Sequence, residues 1–333
     1  MEEKMKRFVL IFLAAFAFTA SFAKPNPNAA SYKTYETKDA NAPVVYFIRD
    51  ISSESLAKVY DALGFEAKGK VGIKISTGES NRSNHLRPEL IGDFVKKHGG
   101  IIVECNTAYG GSRASNAAHK QAFKDRGYDK IAQFDLLDEE GSMSIPVSGG
   151  VRLKEDFVGT HFANYDSFIV LSHFKGHAMA GFGGTMKNLS IGFGSGSSTK
   201  QSGKALIHSG GASATKAWGF PQDNFTEAMA EASKGVCDYM AKKGGMAYVN
   251  VMNRLSVDCD CNGNPAEPDM HDIGILASLD PLAIDQASID LVWKASDSGS
   301  LIERVERQNG RHILEHAKKI GLGSRNYRLI ELK

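Results

Sequence analysis

The apolar residues of the chain follow two alternating patterns. Short continuous apolar runs, such as 44–48 and 71–76, are typical of buried strands, and stretches with apolar residues three or four positions apart, such as 53–63 and 87–98, are typical of helices. Ser53 is the expected N-cap of the first helix. Strands that alternate with helices of this length predict an α/β fold with a mostly parallel sheet and helices on both faces.

The same alternation continues to the C-terminus. The further predicted strands are 101–105, 133–137, 143–147, 167–172, 246–257, 273–277 and 327–332, and the further predicted helices are 115–126, 224–243, 281–294 and 313–319. We therefore expect residues 43–333 to form a single α/β domain or two intimate lobes. Ligands of such sheets bind beyond the carboxyl ends of the strands, so polar residues at those positions are candidate site residues.

The N-terminus has the pattern of a targeting signal. Three basic residues precede ten apolar residues, 8–17, and the small residues Ser21 and Ala23 mark a cleavage site after Ala23. The apolar run is well short of the ~20 residues needed to span a bilayer. Residues 1–23 are thus predicted to be a signal peptide and 24–42 an extended polar leader, and the mature protein is predicted to be periplasmic or secreted, without stable membrane insertion.

Composition and charge narrow the possible partners. The 333 residues are 42% hydrophobic and 23% charged, which excludes fibrous and disordered proteins. Lysine plus arginine number 40 and aspartate plus glutamate 38, and removal of the three basic and two acidic residues of the predicted signal leaves 37 and 36. A nearly neutral protein has no general attraction for nucleic acid, so we expect none as a partner.

The segment 172–192 directly follows a predicted strand and begins with two histidines. His173 and His177 lie four residues apart and would share a face on a helix, where they could chelate a metal ion or transfer protons. Two hydrogen-bonded loop histidines are the structural alternative. Lys175 lies between them and is a candidate ligand-binding residue.

Glycines follow the histidines and lead into a predicted helix start. Gly181, Gly183 and Gly184 leave backbone amides free to face an anion, and Lys187 and Asn188 come next, where a phosphate or carboxylate is favoured. The segment contains neither a Walker motif nor a dinucleotide-binding fingerprint. The pattern favours a small anion over a nucleotide.

The four cysteines permit a metal, redox or structural role. Cys259 and Cys261 are separated by one residue, a spacing that can direct two sulfur atoms toward one ligand. The alternative is that one or both form disulfides with Cys105 or Cys237, as is common in exported proteins. Cys237 lies in a helical pattern and is expected to be a small core residue. The acidic residues and histidine around the pair, Asp258, Asp260, Asp269, His271 and Asp272, would allow a mixed metal site.

Three charged residues, Lys74, Asp285 and Asp290, lie in otherwise apolar surroundings. Asp280 precedes Pro281 and is expected to cap a helix. Asp285 and Asp290 follow in an apolar stretch and need a partner, for which Lys74 and Lys187 are candidates. Lys74 lies inside an apolar strand, so it is expected to point toward the crevice at the strand end or to form a buried pair.

Three separated segments resemble the domain of unknown function 362 family. They are 71–76 (VGIKIS), 173–192 (HFKGHAMAGFGGTMKNLSIG) and 272–292 (DIGILASLDPLAIDQASIDLV), and the resemblance covers about 44–295. The residues on its motif positions are Lys74, His173, Lys175, Gly176, His177, Lys187, Asn188, Asp258, Cys259, Cys261, Asp272, Asp280, Asp285 and Gln286. The family carries no settled reaction.

The chain departs from this family in one respect. Many members resemble iron–sulphur proteins with a ferredoxin-like insert of repeated C-x-x-C spacings, which is missing here before Cys259. Four cysteines are too few for two such cluster sets, so we expect no four-iron cluster. A divalent or transition metal of open identity stays possible.

A shorter run is similar to nickel-pincer lactate racemases. It comprises histidines followed by 180–187 (AGFGGTMK), with one residue fewer before the lysine than in those enzymes. The similarity implies a lysine that anchors or orients an organometallic cofactor.

These observations predict an exported metal- or redox-dependent enzyme that acts on a small anionic metabolite. The alternatives are a periplasmic metal- or anion-binding protein without turnover and a nickel-pincer racemase-like enzyme. The candidate residues are His173, His177 and Lys187 for catalysis, Lys74, Lys175, Gly183, Gly184, Asn188 and Asp285 for ligand binding, and His173, His177, Cys259 and Cys261 for metal.

Overall fold

The computed structural model describes residues 23–196 and 199–333. The predicted signal peptide, except for Ala23, lies outside the described residues, so it stays a prediction. Within the described ranges no helix has the length and apolar character needed to cross a bilayer.

Strands and helices alternate along most of the described chain, as the apolar pattern predicts. The strands are β1 (Val44–Ile48), β2 (Val71–Lys74), β3 (Ile101–Glu104), β4 (Gln133–Leu136), β5 (Ser142–Pro146), β6 (Glu155–Gly159), β7 (Ser167–His173), β8 (Lys175–His177), β9 (Gly181–Gly183), β10 (Met246–Met252), β11 (Gly274–Ser278) and β12 (Arg328–Glu331). The helices are α1 (Ser53–Asp61), α2 (Pro88–Lys97), α3 (Asn116–Asp125), α4 (Thr185–Phe193), α5 (Gly203–His208), α6 (Gln222–Met240), α7 (Pro281–Lys294), α8 (Gly299–Arg307) and α9 (His312–Lys319).

Eight of the described strands form one sheet in the order β12-β1-β11-β10-β7-β2-β3-β4. Strand β11 is antiparallel to both of its neighbours, and the remaining pairs are parallel. Side chains of α1, α2 and α3 pack in the core on one face of the sheet, and those of α4, α6, α7 and α9 pack in the core on the other. The predicted mostly parallel α/β fold with helices on both faces is confirmed.

The structure departs from the predicted elements in several places: β6, α5 and α8 are not predicted, and the predicted strand 246–257 ends at Met252. The predicted N-cap Ser53 is wrong by one residue, because the Ser52 side chain accepts the hydrogen bond from the Ser55 amide. The segment after β7 turns back as the antiparallel pair β8 and β9, so the two histidines do not share a helix. Gly176 allows this close approach, because a Cβ there would lie 2.3 Å from the carbonyl oxygen of Val257.

The predicted leader packs against the end of α7. The Asn26 side chain is 8% exposed and its amide nitrogen donates to the carbonyl oxygens of Trp293 at 2.8 Å and Ala295 at 3.1 Å. Farther along, the Tyr32 hydroxyl donates to Asp290 at 2.9 Å. The leader is therefore anchored to the domain by buried polar contacts.

The sheet gathers the candidate residues at one edge. Strands β2, β3 and β7 are neighbours or next neighbours and run in parallel, so their carboxyl ends, at Lys74, Glu104 and His173, lie on the same side. Helix α4 and the β8–β9 pair follow β7 at this edge. This arrangement positions the site.

Candidate functional site

A cavity of about 80 Å³ lies at the carboxyl ends of β2, β3 and β7. It is lined by Lys74, Ser76, Glu104, Cys105, Thr107, Ala108, Tyr109, Arg113, Ser172, His173, Lys175, His177, Gly184, Lys187, Asn188, Ile191, Gly192, Lys204, His208 and Cys261. Its volume is well below the ~300–1,000 Å³ of sites for drug-sized ligands, so it suits a molecule of a few non-hydrogen atoms.

The lining is strongly cationic. Five of the lining residues are lysine or arginine, and Glu104 is the one carboxylate among them. Glu104 is already engaged, because it lies 3.3 Å from Arg113 Nη1 and 3.2 Å from His119 Nε2 and accepts from the Thr77 amide at 3.1 Å. Burial would raise the pKa of Glu104, but His119, Arg113 and Lys74 hold it well below its usual range. A positive charge excess is left for a ligand.

His173 and Lys175 form a closed group with Asp260. The ring nitrogens of His173 lie 2.8 Å from Asp260 Oδ1 and 2.6 Å from the carbonyl oxygen of Asn253, and Lys175 donates to Asp260 Oδ2 at 2.8 Å. Burial would raise the pKa of Asp260, yet Lys175 and His173 hold it well below its ordinary value. Both nitrogens of His173 therefore face protein oxygens, which leaves neither free for a metal ion.

Two other histidines keep one ring nitrogen without a protein partner in the described chain. His177 Nδ1 accepts from the backbone N–H of Ala180 at 2.8 Å, so the proton of the neutral ring lies on Nε2. His208 Nδ1 lies 2.6 Å from the carbonyl oxygen of Lys204, so it carries the proton and Nε2 keeps its lone pair. Burial, followed by the charge of Lys187, lowers the pKa of His177 well below its usual value. Burial also lowers that of His208 to about 4.

Lys187 projects from the first turn of α4 into the cavity. Within the described ranges its amine makes no hydrogen bond or ion pair. Burial and the nearby charge of Lys175 lower its pKa to about 7. Gly183 makes room for the side chain, because a Cβ there would lie 2.9 Å from Lys187 Cδ.

The side chain of Asp285, a residue of α7, lies at the N-terminus of α4. Its carboxylate accepts from the backbone amides of Thr185 and Met186 and from Asn250 Nδ2, each at 2.8 Å. The suggested lysine partners of Asp285 are therefore wrong, because helix amides and a neutral side chain satisfy this buried acid. The Thr185 and Met186 amides at the start of α4 therefore bind an internal carboxylate.

Lys74 and Asn188 connect the strand ends to α4. Lys74 is 1% exposed and donates to the carbonyl oxygen of Ile75 at 2.6 Å, and burial lowers its pKa to about 8. Asn188 Nδ2 donates to Ser172 Oγ at 3.1 Å and to the Lys74 carbonyl at 3.2 Å. Lys74 thus points to the crevice as expected, while Asn188 fixes the helix to the sheet.

The cysteines pair differently from the disulfide alternative stated above. Cys259 and Cys261 form a disulfide with each other, so bridges to Cys105 or Cys237 are wrong. The Cys105 thiol donates to the Phe193 carbonyl at 3.2 Å, and burial raises its pKa to about 12. Cys237 lies 3.3 Å from the Tyr248 hydroxyl. Cys105 and Cys261 both line the cavity, Cys105 as a hydrogen-bonded thiol and Cys261 as part of the disulfide.

The fit of a metal ion depends on the redox state of that pair. One nitrogen of His177 and both sulfur atoms lie within 4.8 Å of one another, a group that could hold a metal. In the disulfide form the sulfur atoms are not thiolates, and the neutral His177 ring presents a proton on Nε2 while Nδ1 receives a backbone N–H. The donor set of the described form therefore does not fit a resident metal. The expected absence of a four-iron cluster stays a prediction from the cysteine count.

Sequence reasoning missed part of the cavity. The position of 106–113 after a strand end marks this stretch as a candidate ligand loop, but nothing in the sequence distinguishes Arg113 within it. Glu104 reads as the last residue of a strand, and Lys204 and His208 lie on a one-and-a-half-turn helix without a distinctive motif. Contacts between distant segments bring these residues together.

Comparison with known proteins gives one clear result. No match was found among curated proteins. Among solved structures the chain is similar to the lactate racemase apoprotein from Thermoanaerobacterium thermosaccharolyticum, with 18% identity, a TM-score of 0.38 and coverage of 62% of this chain. It is also similar to a protein from Thermotoga maritima, with 10% identity, a TM-score of 0.39 and coverage of 80%.

The chain spans 50% of the length of the first structure and 58% of the second. At TM-scores of this size neither likeness bears on the reaction. The model of the family described as domain of unknown function 362 matches residues 71–290, which are most of the chain. This range includes the candidate site residues His173, His177, Lys187, Cys259 and Cys261. The chain belongs to the domain of unknown function 362 family.

Proposed function

We propose that the protein is an exported enzyme that binds a small anionic metabolite in the cationic cavity and acts on it by acid–base or redox chemistry. The observation that carries the proposal is the convergence of five lysine and arginine side chains on a cavity whose one lining carboxylate is already paired. An anion would offset the repulsion among these buried charges.

The balance of charge supports an anionic ligand. Lys74, Lys187 and Lys204 all have lowered pKa values, in each case chiefly because of burial, so their protonated forms are only partly compensated in the free protein. A carboxylate or phosphate would supply that compensation and favour the charged lysines. Binding of an anion should therefore be accompanied by proton uptake near neutral pH.

The residues that line the cavity offer two kinds of chemistry, proton transfer and disulfide redox chemistry. His177 presents a ring N–H and His208 a ring lone pair, while Lys187 has an amine that can gain or lose a proton near pH 7. The Cys259–Cys261 disulfide is at the same wall, with Cys261 among the lining residues, and can accept two electrons and two protons from a dithiol.

Calorimetric titration tests anion binding directly. We expect lactate, pyruvate or inorganic phosphate to bind the wild-type protein, and Lys74→Met and Lys187→Met to weaken binding by ~10-fold or more, equivalent to about 1.4 kcal/mol each. Lys124→Met removes one exposed positive charge and is the matched control. No binding by any of the three anions, or equal loss in the control, would contradict the proposal.

Turnover separates an enzyme from a binding protein. The bound anion is incubated with the protein, with and without a dithiol reductant, and followed by NMR. Conversion supports the enzyme. Binding without any conversion would instead support a periplasmic binding protein without turnover.

A further inference from the structure

One cation in the cavity differs from the other four. Lys74, Lys175 and Lys204 each donate to a protein oxygen, to Ile75 O at 2.6 Å, Asp260 Oδ2 at 2.8 Å and Gly194 O at 2.5 Å. Arg113 is likewise held by Glu104. The Lys187 amine has no such partner in the described chain.

The free amine is held in a fixed position. Helix α4 is capped by Asp285 and tied to the sheet by Asn188, one residue after Lys187. Because Gly183 has no side chain, there is space beside the aliphatic part of Lys187. Lys187 thus presents to a small cavity, from a helix fixed at both points, a nitrogen that has no partner among residues 23–196 and 199–333.

Complementary groups line the same cavity. The His177 ring offers an N–H donor, and the His208 ring offers an acceptor, because their other nitrogens are fixed by backbone contacts. Lys187, His177 and His208 line the same cavity, and the charge of Lys187 contributes, after burial, to the lowered pKa of both rings. The donor could polarise a carbonyl oxygen, and the acceptor could receive a proton.

We propose that Lys187 is a nucleophile that forms an imine with the carbonyl carbon of a small 2-oxo acid. This inference rests on the proposed function, because the remaining cations would hold the carboxylate of the same molecule. It narrows the anionic metabolite to one that carries a ketone or aldehyde beside its carboxylate.

The step balances without a further reactant. The neutral amine adds to the carbonyl carbon, its C–N bond forms as the carbonyl π bond opens, and a proton passes from nitrogen to oxygen to give a carbinolamine. Loss of that hydroxyl as water, with the second amine proton, gives the imine. Hydrolysis reverses both steps and releases the free lysine.

The ionisation of Lys187 agrees with this role. With a pKa of about 7, about half of the side chain is neutral at pH 7, whereas a lysine at its ordinary value is neutral in roughly 0.03% of molecules. Desolvation combined with a neighbouring cation is a known way to make a lysine nucleophilic. Lys74, with a pKa of about 8, is less suitable because it already donates to a backbone carbonyl.

Reductive trapping tests the proposal. The protein is incubated with low concentrations of pyruvate or glyoxylate and cyanoborohydride, and digested peptides are analysed by mass spectrometry. We expect the reduced adduct at Lys187, labelled at least ~10-fold faster at pH 7 than exposed lysines, with a rate that rises to a plateau with a midpoint of about 7. Labelling of exposed lysines should still be rising at pH 9.

Controls separate the imine from ordinary modification. Lactate, which lacks the carbonyl, should give no adduct and should slow labelling by pyruvate. Lys187→Arg keeps the charge but cannot form the imine, so it should lose the adduct, whereas Lys124→Met should label like the wild type. Circular dichroism confirms that each variant is folded, and the site in the wild-type peptide map does not depend on any variant.

Three outcomes would overturn the proposal. Labelling spread over exposed lysines without preference for Lys187, or concentrated on Lys74 or Lys175, would do so. Calorimetric binding of pyruvate without trapping at Lys187 would remove the imine and leave the proposed function intact. Failure of lactate, pyruvate and phosphate to bind at all would remove both.

Discussion

Two polar clusters of this protein are similarly buried but differ in their hydrogen bonding. The polar groups of one have protein partners, and several of those of the other have none among the described residues. The Asp290 cluster consists of Asp290, Gln286, Tyr32, Tyr35 and Tyr327. The carboxylate accepts from the Tyr32 hydroxyl at 2.9 Å, the Tyr35 amide at 2.6 Å and the Tyr327 hydroxyl at 2.8 Å, and from Gln286 at 2.8 Å. The cavity cluster consists of Lys74, Lys187, His177, His208 and Cys261, and it leaves one amine and two ring nitrogens without partners in the described chain.

The difference distinguishes buried polar groups that stabilise the fold from buried polar groups that can bind a ligand. A buried acid with several donors stabilises the fold and has no capacity left for a ligand. Buried cations close together, one of them without a partner in the described chain, lower the stability of the free protein, and a ligand can restore that loss. Mutations in the two clusters should therefore change stability in opposite directions.

The largest expected effect is on zinc uptake by the cavity cluster, and it should follow reduction of the Cys259–Cys261 disulfide. Because the disulfide has no thiolate ligands, the oxidised and chelator-treated protein should take up no zinc, and the reduced protein about one equivalent. Inductively coupled plasma analysis after gel filtration measures the uptake. Cys259→Ser should abolish it, and His177→Ala should weaken it less, because Nδ1 of that ring already accepts a backbone N–H.

Stoichiometric zinc in the oxidised protein would contradict this interpretation of the donor set. Asp290→Ala is the control outside the cavity, and it should leave zinc uptake unchanged under conditions where the variant is folded.

Removal of the Asp290 carboxylate should cause the largest loss of stability. Asp290→Ala leaves two buried hydroxyls, a backbone N–H and an amide without their acceptor, so we expect the free energy of unfolding to fall by about 3 kcal/mol. Urea denaturation followed by circular dichroism measures the change. Asp129→Ala removes an exposed acid and should change stability by less than ~0.5 kcal/mol. Equal effects of the two substitutions would show that the cluster does not stabilise the fold.

The cap of α4 should give an intermediate effect that joins structure and site. Asp285→Ala should lower the free energy of unfolding by about 2 kcal/mol, because the Thr185 and Met186 amides lose a buried acceptor. It should also weaken anion binding, since the helix that carries Lys187 loses its anchor. Asp285→Asn keeps one acceptor oxygen and should lose less on both measurements, and an unchanged binding constant in Asp285→Ala would argue against positioning by the cap.

The smallest effect has the opposite sign. Lys187→Met should raise the free energy of unfolding by about 1 kcal/mol at pH 7, since a half-buried unpaired ammonium is removed. Unfolded lysine keeps its proton up to about 10.5, whereas folded Lys187 loses it above about 7, so the folded state binds fewer protons between these values. The penalty of the wild-type lysine is therefore complete below pH 7 and disappears as the pH rises toward 10.5.

Thermal unfolding at pH 6, 7, 8 and 9 checks this sign. The advantage of Lys187→Met over the wild type should shrink steadily above pH 7. A difference that grows with pH would mean that the folded protein holds the proton of Lys187 more tightly than the unfolded chain.

The sequence predicts the fold well where the signals are local. Helix α7 begins and ends as expected because Asp280 caps it and Pro281 follows, and the Asp280 side chain accepts from the amides of Leu282 and Ala283. Strand β1 is likewise found at 44–48, because a continuous apolar run needs no distant information. The β8–β9 pair was missed because its strands have three residues each and contain glycine and polar side chains.

The site is predictable in part for the same reason. Lys74, His177 and Lys187 stand out as polar groups in apolar or glycine-rich surroundings, and all three line the cavity. The partner of Asp285 could not be assigned, because its donors are backbone amides about 100 residues away that become unpaired only once α4 has formed. The pairing of His173 with Asp260 is equally a property of the folded chain.

The docking of the leader and of β1 sets the order in which the molecule can fold. In the main sheet β1 pairs with β11 and β12, and Asn26 contacts the end of α7, so Asn26 and β1 find these partners only after residues 274–331 are present. Such contacts have a high sequence separation, which slows folding because long loops must close first. A chain emerging from its N-terminus would thus keep β1 unpaired until residues 274–331 have been delivered.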